Sequence, residues 1–240
     1  MVEIKLINGD CLEELEPLEK EADCAITDPP YNISGKTTDI GFSDRKDMSM
    51  NFGDWDESEI HPKDWVPLIS KALIDTGVFI SFYDYNFMEH LTIPIRNSGL
   101  HMRQKAYWHK ANPLPRVETT KWQDAIEEIA IATKNEGRGH NFQHHRQRHN
   151  VIESPIVQGD SRYDHPTQKP EDVIETLVKW WTEKGDIVLD PFAGSGTTPA
   201  VCKRMGRDCI AIERDEDFYE IMQQRVSEVE KYTDNSVFDY

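Results

Sequence analysis

Asp28-Pro29-Pro30-Tyr31 places a hydrogen-bond acceptor and an aromatic ring on either side of two residues that fix φ and cannot donate a backbone hydrogen bond. Carboxylate and ring are thereby directed into one cleft, where Asp28 can accept an N–H and Tyr31 can stack on a planar heterocycle. A ring-conjugated amine is a poor nucleophile because its lone pair is delocalised. Acceptors at Asp28 and the Pro29 carbonyl would return electron density to that nitrogen as an electrophile approaches, with proximity and exclusion of water supplying the remainder. No covalent enzyme intermediate is needed. By itself the tetrad could equally be a rigid turn.

A second motif, Asp190-Pro191-Phe192-Ala193-Gly194-Ser195-Gly196-Thr197-Thr198, lies between an apolar run and a helical pattern. Gly194 and Gly196 allow a ligand to approach backbone N–H groups closely. A dinucleotide loop would carry a third glycine, and a P-loop would carry lysine where Thr197 stands, so phosphate is poorly supported as the ligand. Glu213, 17 residues beyond Gly196, ends the next apolar run, where a carboxylate can accept from ribose hydroxyls. The pattern suits a nucleoside cofactor without a 2′-phosphate.

The elements that must hold these motifs alternate in type. Leu6–Asn8 reads as strand, followed by a short helix from Cys11 that Asp10 can cap. Strand 22–27 leads into the tetrad. A helix over 65–73, stopped by Gly77, precedes strand 78–83. A helix over 86–97 has Pro94 as a kink or early stop, and segments 102–110 and 126–133 could pair as the sheet edge. Helix 171–181, strand 187–189, helix 198–205, strand 209–212 and helix 216–229 complete the chain. This alternation predicts an α/β fold, a mostly parallel sheet with helices on both faces and ligands bound outside the carboxyl ends of its strands. One catalytic domain over 1–240 is expected, with 134–164 as an irregular basic insertion and 34–60 as a long loop able to act as a lid.

The chain has 240 residues and no apolar run near the roughly 20 residues of a membrane span. Its N-terminus alternates like a strand and lacks a secretory signal, so a soluble, cytoplasmic protein is expected. Cys11, Cys24, Cys202 and Cys209 show no CxxC spacing and read as buried thiols. A net charge of −17 argues against a polyanionic partner, but it is segregated. Residues 96–148 carry ten Lys or Arg against five Asp or Glu, a local +5 that leaves −22 on the remainder. Within this region Arg138, His140, Asn141, His144, His145, Arg146 and Arg148 mix groups suited to phosphate contacts and to reading base edges. Three of these histidines could ligate a metal, but they have no Cys partner and the transfer chemistry needs none, so no metal is expected.

The tetrad and the glycine loop together resemble the DNA amino-methyltransferases that make N6-methyladenine or N4-methylcytosine. The tetrad precedes the loop with a basic insertion between them, which is similar to the beta group of that family. Asn8-Gly9-Asp10, Trp108-His109-Lys110-Ala111-Asn112-Pro113 and His165-Pro166-Thr167-Gln168-Lys169-Pro170 extend the likeness over nearly the whole chain. The resemblance implies a Rossmann-like S-adenosylmethionine-dependent methyltransferase fold, Asp10 on the cofactor adenine, and Thr167 and Lys169 toward its methionine end. Asp190, Phe192, Gly194, Gly196, Thr197, Thr198 and Glu213 would complete the cofactor site. It further implies double-stranded DNA as partner, base flipping, and compatibility with a homodimer. Asp before Pro-Pro-Tyr favours adenine over cytosine. The recognition sequence and any restriction endonuclease partner stay open, as do an RNA or protein amine as substrate and a catalytically silent DNA-binding role.

Overall fold

The computed structural model describes residues 2–31, 60–115, 120, 122–137, 141–142, 149–159 and 168–229. The expected lid over 34–60 falls outside them except for Ile60. In chain order the elements are β1 (Ile4–Asn8), α1 (Cys11–Leu15), β2 (Ala22–Thr27), α2 (Pro62–Ala72), β3 (Leu73–Tyr83), α3 (Met88–Asn97), β4 (Leu100–Lys110), β5 (Ile126–Lys134), β6 (Val151–Ser154), α4 (Glu171–Trp181), β7 (Ile187–Asp190), α5 (Thr197–Met205), β8 (Asp208–Glu213) and α6 (Glu216–Glu228).

The strands form one sheet in the order β1-β8-β7-β2-β3-β5-β4-β6. Among the described residues β5 alone runs against its neighbours; every pairing that excludes it is parallel. From β7 the chain winds through α5 to β8, and from β2 through α2 to β3, in opposite directions across the sheet. The crevice between the carboxyl ends of β7 and β2 is therefore the topological switch point, where α/β sheets bind ligands.

Alternation along the strands divides the core in two. Cys24, Ile26, Val78, Ile80, Phe82, Ile129 and Ile131 face α4, α5 and α6 through Val173, Leu177, Val201 and Met222. Ala25, Phe79, Ala130 and Leu189 face the other way, against Trp65, Val66, Ile69, Leu91 and Ile95 of α2 and α3. Burial on both faces explains why the strands read as continuous apolar runs.

Three expectations about the elements change. Gly77 does not stop a helix: α2 ends at Ala72, and Gly77 sits in a bulge of β3, where Ala22 pairs with Leu73 but Cys24 pairs with Val78. A Cβ at Gly77 would lie 2.8 Å from that of Leu73 and 2.9 Å from the Ile74 carbonyl oxygen, so the bulge requires glycine. Pro94 does not end α3 early, because the helix runs on to Asn97 and closes with the Ser98 N–H donating to the Pro94 carbonyl at 2.9 Å. The 134–164 segment is not irregular throughout, since β6 extends the sheet beside β4 and forms its edge in place of the β4/β5 pair.

Candidate active site

β2 ends at Thr27 with Asp28 directly beyond it, and β7 ends at Asp190 on the neighbouring strand. The Thr27 hydroxyl donates to Asp190 Oδ1 at 2.9 Å, joining the tetrad to the glycine loop at the switch point. Asp190 also accepts the Phe192 N–H and a hydrogen bond from Thr198, yet burial dominates and lifts its carboxyl to about 6. Phe192 packs edge-on against Trp65 with ring centroids 5.4 Å apart.

The candidate cofactor residues gather at the carboxyl ends of β1, β7 and β8. Parallel pairing of β1 with β8 brings Asn8-Gly9-Asp10 beside Glu213, whose carbonyl accepts from the Gly9 N–H and the Asn8 carboxamide, both at 3.0 Å. The Glu213 carboxylate accepts from Gly194 N and Asp215 N at 2.8 Å each, and burial raises its pKa against the pull of those bonds. Asp10 caps α1 by accepting from Leu12 N at 2.8 Å. Gly194 and Gly196 have φ of +50° and +80°, and Gly196 is the residue that opens α5.

The side chains of Thr197 and Lys169, also expected at the cofactor, have partners within the protein. The Thr197 hydroxyl lies inside the protein, between the Lys169 carbonyl at 3.3 Å and the buried Arg225 guanidinium at 2.9 Å. Lys169 points into the tetrad: its ammonium donates to Asp28 Oδ2 and, at 2.8 Å, to Glu127 Oε1. It lies 5.0 Å from the centroid of the Phe82 ring and is 9% exposed. Thr167 is outside the described residues, as are Arg138, His140, His144, His145, Arg146 and Arg148. Asn141, expected at a DNA surface, donates its carboxamide to the Lys179 and Thr182 carbonyls at 3.4 and 2.9 Å, anchoring the insertion to the end of α4.

The tetrad lies within a charged cluster. The Tyr31 hydroxyl donates to Asp28 Oδ1 at 2.5 Å and lies 3.1 Å from Glu127 Oε1, while its ring stands edge-on to Tyr83 at 5.3 Å. Glu127 Oε2 pairs with the Lys110 ammonium at 3.0 Å. Two carboxylates thus share two ammonium groups. Burial raises the Asp28 pKa, outweighing the attraction of Lys169. Burial also pushes Glu127 upward, but Lys169 and Lys110 together hold it at about 2. Lys169 is held above the ordinary lysine range, its burial more than offset by Asp28 and Glu127. Burial, then the two carboxylates, raises Tyr31.

Glu127 is not singled out by the sequence, and Lys110 enters there only as part of a motif without a role, although a signal exists. Asp28 continues the row Cys24-Ile26, Lys110 the row Ala106-Trp108, and Glu127 the row Ile131-Ile129, all on the α4-facing side. Each charge terminates an apolar row at the same edge. Trp122, 93% exposed, and Leu114 and Ile126, also exposed, belong to the β4–β5 connection and the start of β5 at this edge.

A parallel α/β sheet with an acidic glycine loop and an acceptor tetrad at one switch point defines a group-transfer enzyme built around a nucleoside ligand. The family model described as DNA methylase, for N6 and N4 methyltransferases, matches residues 22–224, and the chain belongs to that family. It is 29% identical over 240 aligned positions to the type II methyltransferase M2.DpnII of Streptococcus pneumoniae, covering 92% of this chain and 88% of the relative. It is 27% identical over 246 positions to M2.LlaDCHI of Lactococcus lactis subsp. cremoris, covering 95% and 90%. The fold matches the M1.HpyAVI–SAM complex with a TM-score of 0.71 at 24% identity, covering 92% and 99%. It also matches the cytosine-N4-specific PvuII DNA methyltransferase at 0.71 and 19%, covering 97% and 87%.

Proposed function

We propose that this DNA methylase transfers a methyl group from S-adenosylmethionine to the exocyclic N6 of adenine in double-stranded DNA, acting on a flipped base by direct in-line transfer. The observation that carries the reading is the half-buried Asp28 carboxylate, standing beside Tyr31 and joined through Thr27 and Asp190 to the glycine loop.

The chain's donor set fits the cofactor. Asp10, Asp190 and Glu213 surround the loop with acceptors, which suits hydroxyl and amine donors and a sulfonium, and opposes phosphate. When bound, S-adenosylmethionine supplies an electrophilic methyl group. Asp28 accepts one N–H of the target amine and keeps the nitrogen lone pair directed outward, and Tyr31 stacks on the base. As the N–C bond forms and the S–C bond breaks, the amine proton passes to Asp28, whose burial makes it a stronger base than an exposed carboxylate. Arg138, Arg146 and Arg148 with His140, His144 and His145 provide phosphate contacts, and exposed Trp122 offers a stacking surface beside the cleft.

Asp rather than Ser before Pro-Pro-Tyr supports adenine. The fold matches an N4-cytosine enzyme with the same TM-score as the M1.HpyAVI–SAM complex, so the fold does not choose the base. Incubation of the purified protein with labelled S-adenosylmethionine and duplex DNA, followed by digestion to nucleosides, is expected to yield N6-methyladenosine as its deoxynucleoside. N4-methyl-deoxycytidine as the product would replace the base assignment, and label recovered in RNA or protein in place of DNA would overturn the substrate class.

A further inference from the structure

Both oxygens of Asp28 are engaged, Oδ1 by the Tyr31 hydroxyl and Oδ2 by the Lys169 ammonium. Each of these donors also lies within hydrogen-bonding distance of Glu127 Oε1, at 3.1 Å for Tyr31 and 2.8 Å for Lys169. Glu127 is itself held from the other side by Lys110 at 3.0 Å and is only 13% exposed. A single hydroxyl proton serves one acceptor at a time, so Tyr31 faces a choice between two carboxylates. Lys169, with three protons, can bridge them or favour one.

We propose that Glu127 is a positioning residue of the transfer site, receiving the Tyr31 hydroxyl and the Lys169 ammonium when the target amine takes their place on Asp28. The proposal rests on the reading of Asp28 as acceptor for that amine. A cation kept on Asp28 would draw its electron density away from the amine and oppose uptake of the amine proton. Transfer of that cation to a neighbouring carboxylate, a movement within existing hydrogen-bond distances, frees Asp28 without leaving a buried ammonium unpaired. Lys110 keeps Glu127 fixed as the alternative acceptor.

The charged and titratable groups facing Asp28 are Lys169 from the segment before α4, Glu127 from β5, Tyr31 from its own turn and Asp190 from β7. Glu127→Gln removes a like charge and leaves Lys169 paired with Asp28 alone. Its acid limb of kcat/KM against pH is expected to move to lower pH, and its kcat to fall about ten- to a hundred-fold, with the KM for S-adenosylmethionine unchanged. Lys169→Met, which removes the opposing cation, is expected to move the same limb to higher pH. A Glu127→Gln enzyme with the wild-type kcat and pH profile would overturn the proposal, as would limbs that move together in the two variants. Should Glu127→Gln fail to fold, Glu127→Asp retains the charge one methylene shorter: kcat falls while the limb stays in place, and a wild-type kcat overturns the role. Asp28→Ala assayed in parallel separates the two readings, because transfer surviving that change would overturn the role of Asp28 itself.

Discussion

Asp190 is buried and Glu127 largely so at one edge of the sheet, yet their environments drive them in opposite directions, to about 6 and about 2. Glu127 has two ammonium partners, whereas Asp190 has hydroxyl and amide donors that only partly compensate its burial. A carboxyl raised from 3.8 to about 6 favours the folded state fully below pH 3.8, and that contribution is lost as pH rises through 6. Two units correspond to about 3 kcal/mol. Asp190→Asn preserves an acceptor oxygen for Thr27 and the Phe192 N–H but cannot ionise. Urea unfolding at pH 4 and pH 7 is expected to show the variant gaining on the wild type by up to about 3 kcal/mol between the two. A difference flat with pH would show that Asp190 has the same proton affinity folded and unfolded, which would overturn the upward shift and leave a carboxylate at the cofactor site at neutral pH.

The reversed strand β5 is what assembles the charge network around the tetrad. Because β5 runs antiparallel to β3 and β4, its first residues lie beside the last residues of its neighbours, so Glu127 reaches the edge where Asp28 and Lys110 end their strands. Lys169 arrives from above, since α4 covers the same face. The glycine loop is braced by a different element. A Cβ on Gly196 would lie 2.7 Å from Met222 Cγ and 3.0 Å from its Cα, at a φ of +80°. Gly196→Ala is therefore expected to lower stability by roughly 1–2 kcal/mol from the backbone alone, with the α6 clash adding to it. Cofactor binding should weaken as well, because the loop must shift away from α6. Thermal melting and calorimetric titration with S-adenosylmethionine check both, and an unchanged melt together with unchanged affinity would show that the loop is free to relax.

Charge is distributed unevenly along the chain, with a net −17 overall and a local +5 over residues 96–148. Within this stretch β4 and β5 lie on the side of the sheet beyond β3. The acidic cofactor loop belongs to the other half. Such segregation lets one face attract a polyanion while the other accepts a cationic ligand. On the proposed DNA reading, affinity should weaken as salt rises, despite the negative total. The double variant Arg146→Ala and Arg148→Ala is expected to lower the slope of log K against log salt by roughly 0.9 per phosphate contact removed, about 2 in all. Binding isotherms between 50 and 200 mM salt, on the order used for such slopes, measure this. An unchanged slope would exclude those arginines from phosphate contact.

Local chemistry was legible where it depends on neighbours in the chain. Proline stiffness made Asp28 and Tyr31 recognisable, glycine made the loop recognisable, and strand alternation marked both as ends of buried strands. Gly77 was misread because a glycine after a helical pattern looks like a helix stop, whereas its role comes from crowding against Leu73 within β3. The contact of Asn141 with the end of α4 has no local signal in the sequence. Glu127, Lys110 and Lys169 stand far from Asp28 in sequence, and nothing local says that they meet it. Their meeting follows from strand order and from the direction of β5, which are set by long-range pairing. The motifs were thus written in the chain's short-range stiffness and periodicity. The charge network around Asp28, which decides whether that acid can act as an acceptor, arose only when the sheet brought four distant segments to one edge.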